Sequence, residues 1–253
     1  MPVSLKELDK ALKILLKPEQ FDDYCPNGLQ VEGKANISRL VSGVTASMAL
    51  IEAAIEENAD FILVHHGYFW KGENLTITGL KKARLQMLLL HNISLCAYHL
   101  PIDAHPNLGN NAQLAKVLGF TKHTNLDNDE RHPIIFSGNL EVPMSFDEFS
   151  IHIESKLKRT PLAIKGKSNL IESIAWCTGA AQGFIEIAME AGVDAYITGE
   201  VSEQTVHIAR EAGLHFFSAG HHATERYGIQ AVGSYMAEKF NISHKFIDID
   251  NPA

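Results

Sequence analysis

Apolar residues recur along this chain at two spacings, one helical and one strand-like, and the two alternate. Leu5, Leu8, Leu12 and Leu15 share a helical face, opened by Ser4 and Glu7 in capping-box spacing and stopped by Pro18. A turn-rich segment, FDDYCPNGLQVEG, follows, and its Pro26-Asn27-Gly28 predicts a tight turn. Ile37 to Val44 reads as a strand and Met48 to Asn58 as a helix. Phe61 to Val64 reads as a strand whose four consecutive apolar residues imply burial on both faces. Beyond a loop from Gly67 to Gly79, helices are predicted at Leu80 to Leu90 and Asn110 to Leu118, with a strand at Ile93 to Tyr98 between them. The second half predicts strands at Pro133 to Val142, around Leu162 and Ile174, at Leu214 to Ala219 and at Lys245 to Ile249. Its helices fall at Ser145 to Lys158, Glu203 to Ala212 and Gly228 to Phe240. Strands alternating with helices of this length indicate an α/β fold with largely parallel sheets.

The alternation contains a repeat. Val44-Thr45-Ala46-Ser47, the helical IEAAIEENAD (Ile51 to Asp60) and the apolar FILV ending in His65-His66-Gly67 have counterparts later in the chain. These are Thr178-Gly179-Ala180-Ala181, IEIAMEAGVD (Ile185 to Asp194) and AYIT ending in Gly199-Glu200. Two related α/β lobes are therefore expected. Residues 121 to 132 are polar and without period, which places the boundary between a first lobe of residues 1–126 and a second of 127–253. In each copy polar side chains come directly after the second strand, where an open parallel sheet keeps its ligand site.

Composition narrows the function classes. A 45% hydrophobic and 21% charged chain with 9 prolines has the makings of a core and no disordered tract. Its net charge of -8, with no Lys or Arg run beyond a pair, argues against nucleic acid as the main partner. Charges throughout the first helix leave no signal-peptide core, and no apolar run reaches the ~20 residues of a membrane span, so a cytoplasmic location is expected. Cys25, Cys96 and Cys177 stand far apart with no Cys-x-x-Cys pair and read as small buried hydrophobes.

Four strand ends deliver the candidate chemistry: His65 and His66; His99 and Asp103; Glu200; and His221 and Glu225. If the lobes face each other, these groups converge on a cleft between them. Adjacent histidines on extended backbone leave on opposite sides, so His65 and His66 suit two neighbouring ions better than one. His221 and Glu225 share a face if Ala223 onward forms a first helical turn, and Asp103 and Glu225 are the natural bridging carboxylates. Imidazole with carboxylate suits Zn, Fe, Mn, Co or Ni, and the absence of thiolates argues against a closed structural zinc site. The ordinary reading of each residue alone is a loop polar group or a cap. The turns at Thr45-Ala46-Ser47 and Thr178-Gly179-Ala180-Ala181 read either as N-caps or as backbone cradles for an anion. Glu203 with His207 reads as a solvated helical pair, and His215 as a strand-face histidine.

Longer blocks carry a resemblance. PNGLQVEG (26 to 33), VHHGYFWKG (64 to 72), HLPIDAHP (99 to 106), ITGEVSEQT (197 to 205) and AGHHATERYG (219 to 228), with others in order along the chain, resemble the bacterial YbgI-like proteins. These are dinuclear-metal proteins described as GTP cyclohydrolase I type 2 homologues and as NGG-interacting-factor-like. The resemblance implies two related lobes, a toroidal homohexamer and a two-metal site with ligands at His65, His66, Asp103, His221 and Glu225. His99 and Glu200, which the strand-end spacing also picks out, remain as candidates either to support the ligands from behind or to act as acid or base. The resulting expectation is a hydrolase using two divalent metal ions on a small nucleotide-like or phosphorylated substrate. The alternatives are a non-catalytic metal-binding or regulatory hexameric ring, or a ring associated with nucleic acid and DNA repair whose cavity draws on Lys71, Lys81, Lys82 and Arg84.

Overall fold

The computed structural model describes residues 2–126 and 134–253. The first half forms strand β1 (Val3–Ser4), helix α1 (Leu5–Leu16), β2 (Gly28–Val31), β3 (Asn36–Ile37), β4 (Arg39–Thr45), α2 (Met48–Glu56), β5 (Phe61–His66), α3 (Gly79–Leu90), β6 (Ser94–Ala97) and α4 (Leu100–Ala104). Then come α5 (Asn110–Leu118), β7 (Phe120–Asn125), β8 (Phe136–Met144), α6 (Phe146–Leu157), β9 (Leu162–Ile164) and β10 (Ile171–Trp176). The chain ends with α7 (Ile185–Glu190), β11 (Ala195–Thr198), α8 (Glu203–Ala212), β12 (His215–Ser218), α9 (His221–Phe240) and β13 (Ser243–Phe246). Among the described residues no helix is long and apolar enough to cross a membrane.

These elements fall into two compact units. One runs to Gly109 and includes Gly228–Asp250; the other comprises Asn110–Tyr227 with Asn251–Ala253. The division differs from a boundary at 126/127, which itself abuts residues 127–133, outside the described residues. Strand β7 pairs antiparallel with β8, which takes α5 and β7 into the second unit, and β13 pairs parallel with β4, which returns the chain's last strand to the first sheet. Pairing between strands far apart in sequence is invisible to a local pattern, and the polar stretch at 121 to 125 is an edge strand whose side chains face outward.

The first sheet has the order β13-β4-β5-β6-β2, parallel except at β2. Alternation along β5 sends Phe61 and Leu63 to one core, with Leu8 and Leu12 of α1 and Val232 of α9, and Ile62 and Val64 to the other, with Leu50 of α2 and Leu88 of α3. All four β5 residues are fully buried, as their uninterrupted apolar run requires. The second sheet has the order β7-β8-β10-β11-β12-β9, with parallel pairs at its centre and antiparallel strands outside.

The connectivity β4-α2-β5-α3-β6 matches β10-α7-β11-α8-β12, and each run carries an antiparallel strand, β2 or β9, on its last strand. The match reaches single residues. Ser4 with Glu7 and Ser145 with Glu148 form capping boxes at equivalent helices, each ending on a left-handed lysine, Lys17 or Lys158. Asp60 accepts the N–H groups of Ser38 and Arg39, as Asp194 accepts those of Glu172 and Ser173. In both places burial opposes ionisation, but hydrogen bonds outweigh it and hold the carboxyl below its usual range. The likeness between the two runs thus includes contacts outside residues 44–67 and 178–200.

Candidate metal centre

In the first unit, chemistry gathers at the ends of β5 and β6. His65 is fully buried, with its Nδ1 3.0 Å from the Tyr98 carbonyl oxygen and its Nε2 3.6 Å from Asp103 Oδ1. His66, the last residue of β5, has its Nδ1 3.1 Å from Thr45 Oγ1. Strand alternation predicted divergent rings, yet the two ring centroids are 4.5 Å apart. The strand stops here, so the imidazoles can lean past its end toward one another. His99 stands at the start of α4, and Asp103 lies four residues on, nearly buried. One ligand-capable atom each of His65, His66 and His99 lies within 4.8 Å of the others.

The His99 ring is held from the turn-rich segment before β2. Its Nδ1 lies 2.7 Å from Asp23 Oδ1, and its backbone N–H donates to Asn27 Oδ1 at 2.7 Å. Asp23 Oδ2 accepts from Asn27 at 2.8 Å and from the Leu100 N–H at 2.9 Å. Burial of Asp23 opposes its ionisation, but the hydrogen bonds from His99, Asn27 and the Leu100 N–H outweigh it and hold the carboxyl below its usual range. Trp70 stands edge-on to His99 at 5.1 Å, with its indole N–H on the Gly67 carbonyl. Gln30 fastens the two loops together, accepting the Tyr68 N–H and donating to the carbonyls of Pro26 and Tyr68. Cys25 also lies close to Asp23 and His99, and burial and the Asp23 charge push its thiol up to about 12.

The second unit repeats this plan at the ends of β11 and β12. Helix α9 begins at His221, seven residues before the expected start at Gly228, because Gly228 and Gly233 interrupt the apolar period without ending the helix. His221 and Glu225 therefore share the first turn, with Nε2 and Oε2 3.1 Å apart. Glu200 Oε1 takes the other ring nitrogen, Nδ1, at 2.7 Å. Burial opposes protonation of His221, but Glu225 and Glu200 outweigh it and raise its pKa to about 9. In each unit, then, a histidine at a helix start has its Nδ1 on a carboxylate and another carboxylate four residues on.

The turn residues do the ordinary work. Ser47 caps α2 through the Leu50 N–H, and the Ala46 N–H goes to the His66 carbonyl. In the other copy the N–H groups of Thr178, Gly179 and Ala181 go to Asn111, Thr224 and Thr198. An anion cradle at Thr178-Gly179 would have to displace these bonds. Glu203 and His207 form an exposed pair at 2.8 Å, and His215 is a buried strand histidine tied to Gly166 and Ser168. Lys81 is already paired with Glu73.

Sequence reasoning missed Asp23, Asn27 and Gly179. The Pro26-Asn27-Gly28 block was the available signal for the first two. A Cβ at Gly179 would fall 2.1 Å from Glu225 Oε1, which no spacing rule reveals.

The donor set of nitrogens and carboxylate oxygens fits borderline divalent ions. A chain from Pseudomonas aeruginosa, named GTP cyclohydrolase 1 type 2 homolog, is 54% identical over 253 residues, covering all of both chains. A namesake from Haemophilus influenzae is 52% identical over 248 residues, covering 98% of each. Among solved structures, protein ybgI, of unknown function, superposes with a TM-score of 0.95 at 49% identity over 99% of this chain and 100% of its own. A Thermus thermophilus protein gives 0.89 at 31% identity over 99% and 100%. The Duf34/NIF3 (NGG1p interacting factor 3) pattern matches residues 3–252, and the chain belongs to that family.

Proposed function

We propose that the protein is a two-metal hydrolase acting on a small nucleotide-like or phosphorylated substrate, with His65, His66, Asp103, His221 and Glu225 as metal ligands. The observation that carries this reading is the gathering, in each unit, of imidazole nitrogens and carboxylate oxygens in reach of an ion, His65, His66 and Asp103 in one and His221 with Glu225 in the other, the His221 ring being backed by Glu200 on Nδ1. Such backing fixes a ligating ring and raises its basicity. Two bound ions would lower the pKa of a water and polarise a phosphoryl or carbonyl oxygen.

The chain's own residues supply the rest. Glu200 holds the His221 ring through Oε1 with its side chain partly exposed, and is the other acid or base candidate. His99 stands beside His65 and His66 as an acid or base. Leu75, Ile77, Leu80, Leu89 and Leu90 are exposed, which supports self-association, and the proposed form is a cytoplasmic homohexamer.

Metal analysis of purified protein is expected to find two bound divalent ions per chain. Protein loaded with Mn, Zn or Fe should hydrolyse at least one member of a nucleotide and phosphoester panel, and His65→Ala and Glu225→Ala should abolish that turnover. Tight metal binding with no turnover anywhere on the panel would favour the non-catalytic ring. Activity that survives both substitutions would end the hydrolase reading.

A further inference from the structure

The turn-rich segment before β2 is not an ordinary connection. It places Asp23, whose side chain is 3% exposed, against the start of α4, a contact spanning 76 positions in sequence. Both carboxylate oxygens are filled by donors. Oδ1 takes His99 Nδ1 and the Tyr24 N–H, while Oδ2 takes Asn27 Nδ2 and the Leu100 N–H. A carboxylate serving four such contacts is ionised and can only accept, so the proton between Asp23 and His99 must sit on Nδ1. In the neutral imidazole this leaves the lone pair on Nε2.

An anchor for the loop would need only the two backbone contacts, Asn27 to the His99 N–H and Asp23 to the Leu100 N–H. The contact to the ring goes further, because it sets the ring's rotation and its tautomer. The second unit likewise fixes the rotation of the His221 ring with Glu200, at the same 2.7 Å, through an unrelated loop. Two independent carboxylates performing one task on two helix-start histidines point to a requirement on the ring and not on the loop.

We propose that Asp23 is a positioning residue which locks His99 in its Nδ1–H form, so that His99 offers Nε2 to the His65 and His66 cluster as a proton acceptor. The proposal rests on the hydrolase reading for its proton-accepting part. In the chemical step His99 Nε2 would take the proton of the attacking water as the water oxygen bonds to the electrophilic centre, and would return it to the leaving group.

Long-range nitrogen–proton NMR of histidine side chains, on metal-free and zinc-loaded protein, tests the lock. Wild type is expected to show His99 protonated at Nδ1 and bare at Nε2. Asp23→Asn, which is isosteric and presents either a donor or a neutral acceptor to Nδ1, should mix or reverse the tautomers, and Asp23→Glu should restore the wild-type form in part. With manganese-loaded protein and p-nitrophenyl phosphate as probe, Asp23→Asn should lower kcat by about 10- to 100-fold with KM within about threefold, the usual scale for losing a ring's carboxylate partner. Wild-type His99 protonated at Nε2, or a tautomer unchanged in a folded Asp23→Asn, would overturn the proposal. A wild type that keeps the expected tautomer but hydrolyses nothing would instead remove the hydrolase reading, and the proton-accepting role with it, while the spectra alone would judge the lock.

Discussion

Replacing Gly179 by alanine tests the second half-site at a single atom. Gly179 has φ +70°, in the left-handed region, where a Cβ costs about 1 kcal/mol or more. The added atom would stand 2.1 Å from Glu225 Oε1, 3.1 Å from Glu225 Cδ and 3.4 Å from His221 Nε2. Ordinary contact begins near 3.4 Å, so the carboxylate must retreat by about 1.3 Å, the difference between 3.4 and 2.1. Glu225 is 3% exposed and has little room to do so. Metal–ligand distances tolerate about 0.2 Å, so an ion at Glu225 would lose that ligand. Zinc affinity by competitive titration is expected to fall at least tenfold, about 1.4 kcal/mol. Urea unfolding should show a further loss of about 1–3 kcal/mol from strain and overpacking. In metal-free protein, NMR should show the His221 pKa falling from about 9 toward 6.5 as its partner withdraws. Gly183→Ala, which meets nothing within 4 Å, serves as the control. If Gly179→Ala binds zinc as tightly as wild type and keeps the His221 titration, the geometry assigned to Glu225 is wrong.

Three other outcomes follow from the same reasoning. Glu200→Ala frees the His221 ring to rotate and should weaken zinc binding about 10- to 100-fold, so an unchanged affinity would contradict its orienting role. Asp60 and Asp194 have lowered folded-state pKa values, so their contribution is present above the ordinary value of 3.8 and is lost as pH falls through the folded values; stability measured by denaturant melts should drop in that acid window, and Asp60→Asn and Asp194→Asn should flatten the drop. Gly43→Ala would push a Cβ to 2.6 Å and 2.7 Å from the two Leu50 methyls and should cost about 1–3 kcal/mol, less than additively with Leu50→Ala if the clash is with that side chain.

Part of this molecule was readable from the chain alone. The capping box at Ser4 and Glu7, the apolar run Phe61 to Val64 of β5 and the helix at Glu203–Ala212 appear where their patterns put them, because period and caps are properties of neighbouring residues. The placing of His65, His66, His99, Glu200 and His221 at strand ends was equally local. Other features required residues that meet only after folding. Strand β13 joins β4 across about two hundred positions, Asp23 reaches His99 from a segment that reads as a loop, and Gly179 is glycine because Glu225 lies beside it. The start of α9 at His221 and the close approach of the His65 and His66 rings belong to the same class. Hydrophobic period and capping choose elements one turn at a time, whereas which strands pair and which carboxylate meets which imidazole depends on the long-range packing that brings distant residues into contact.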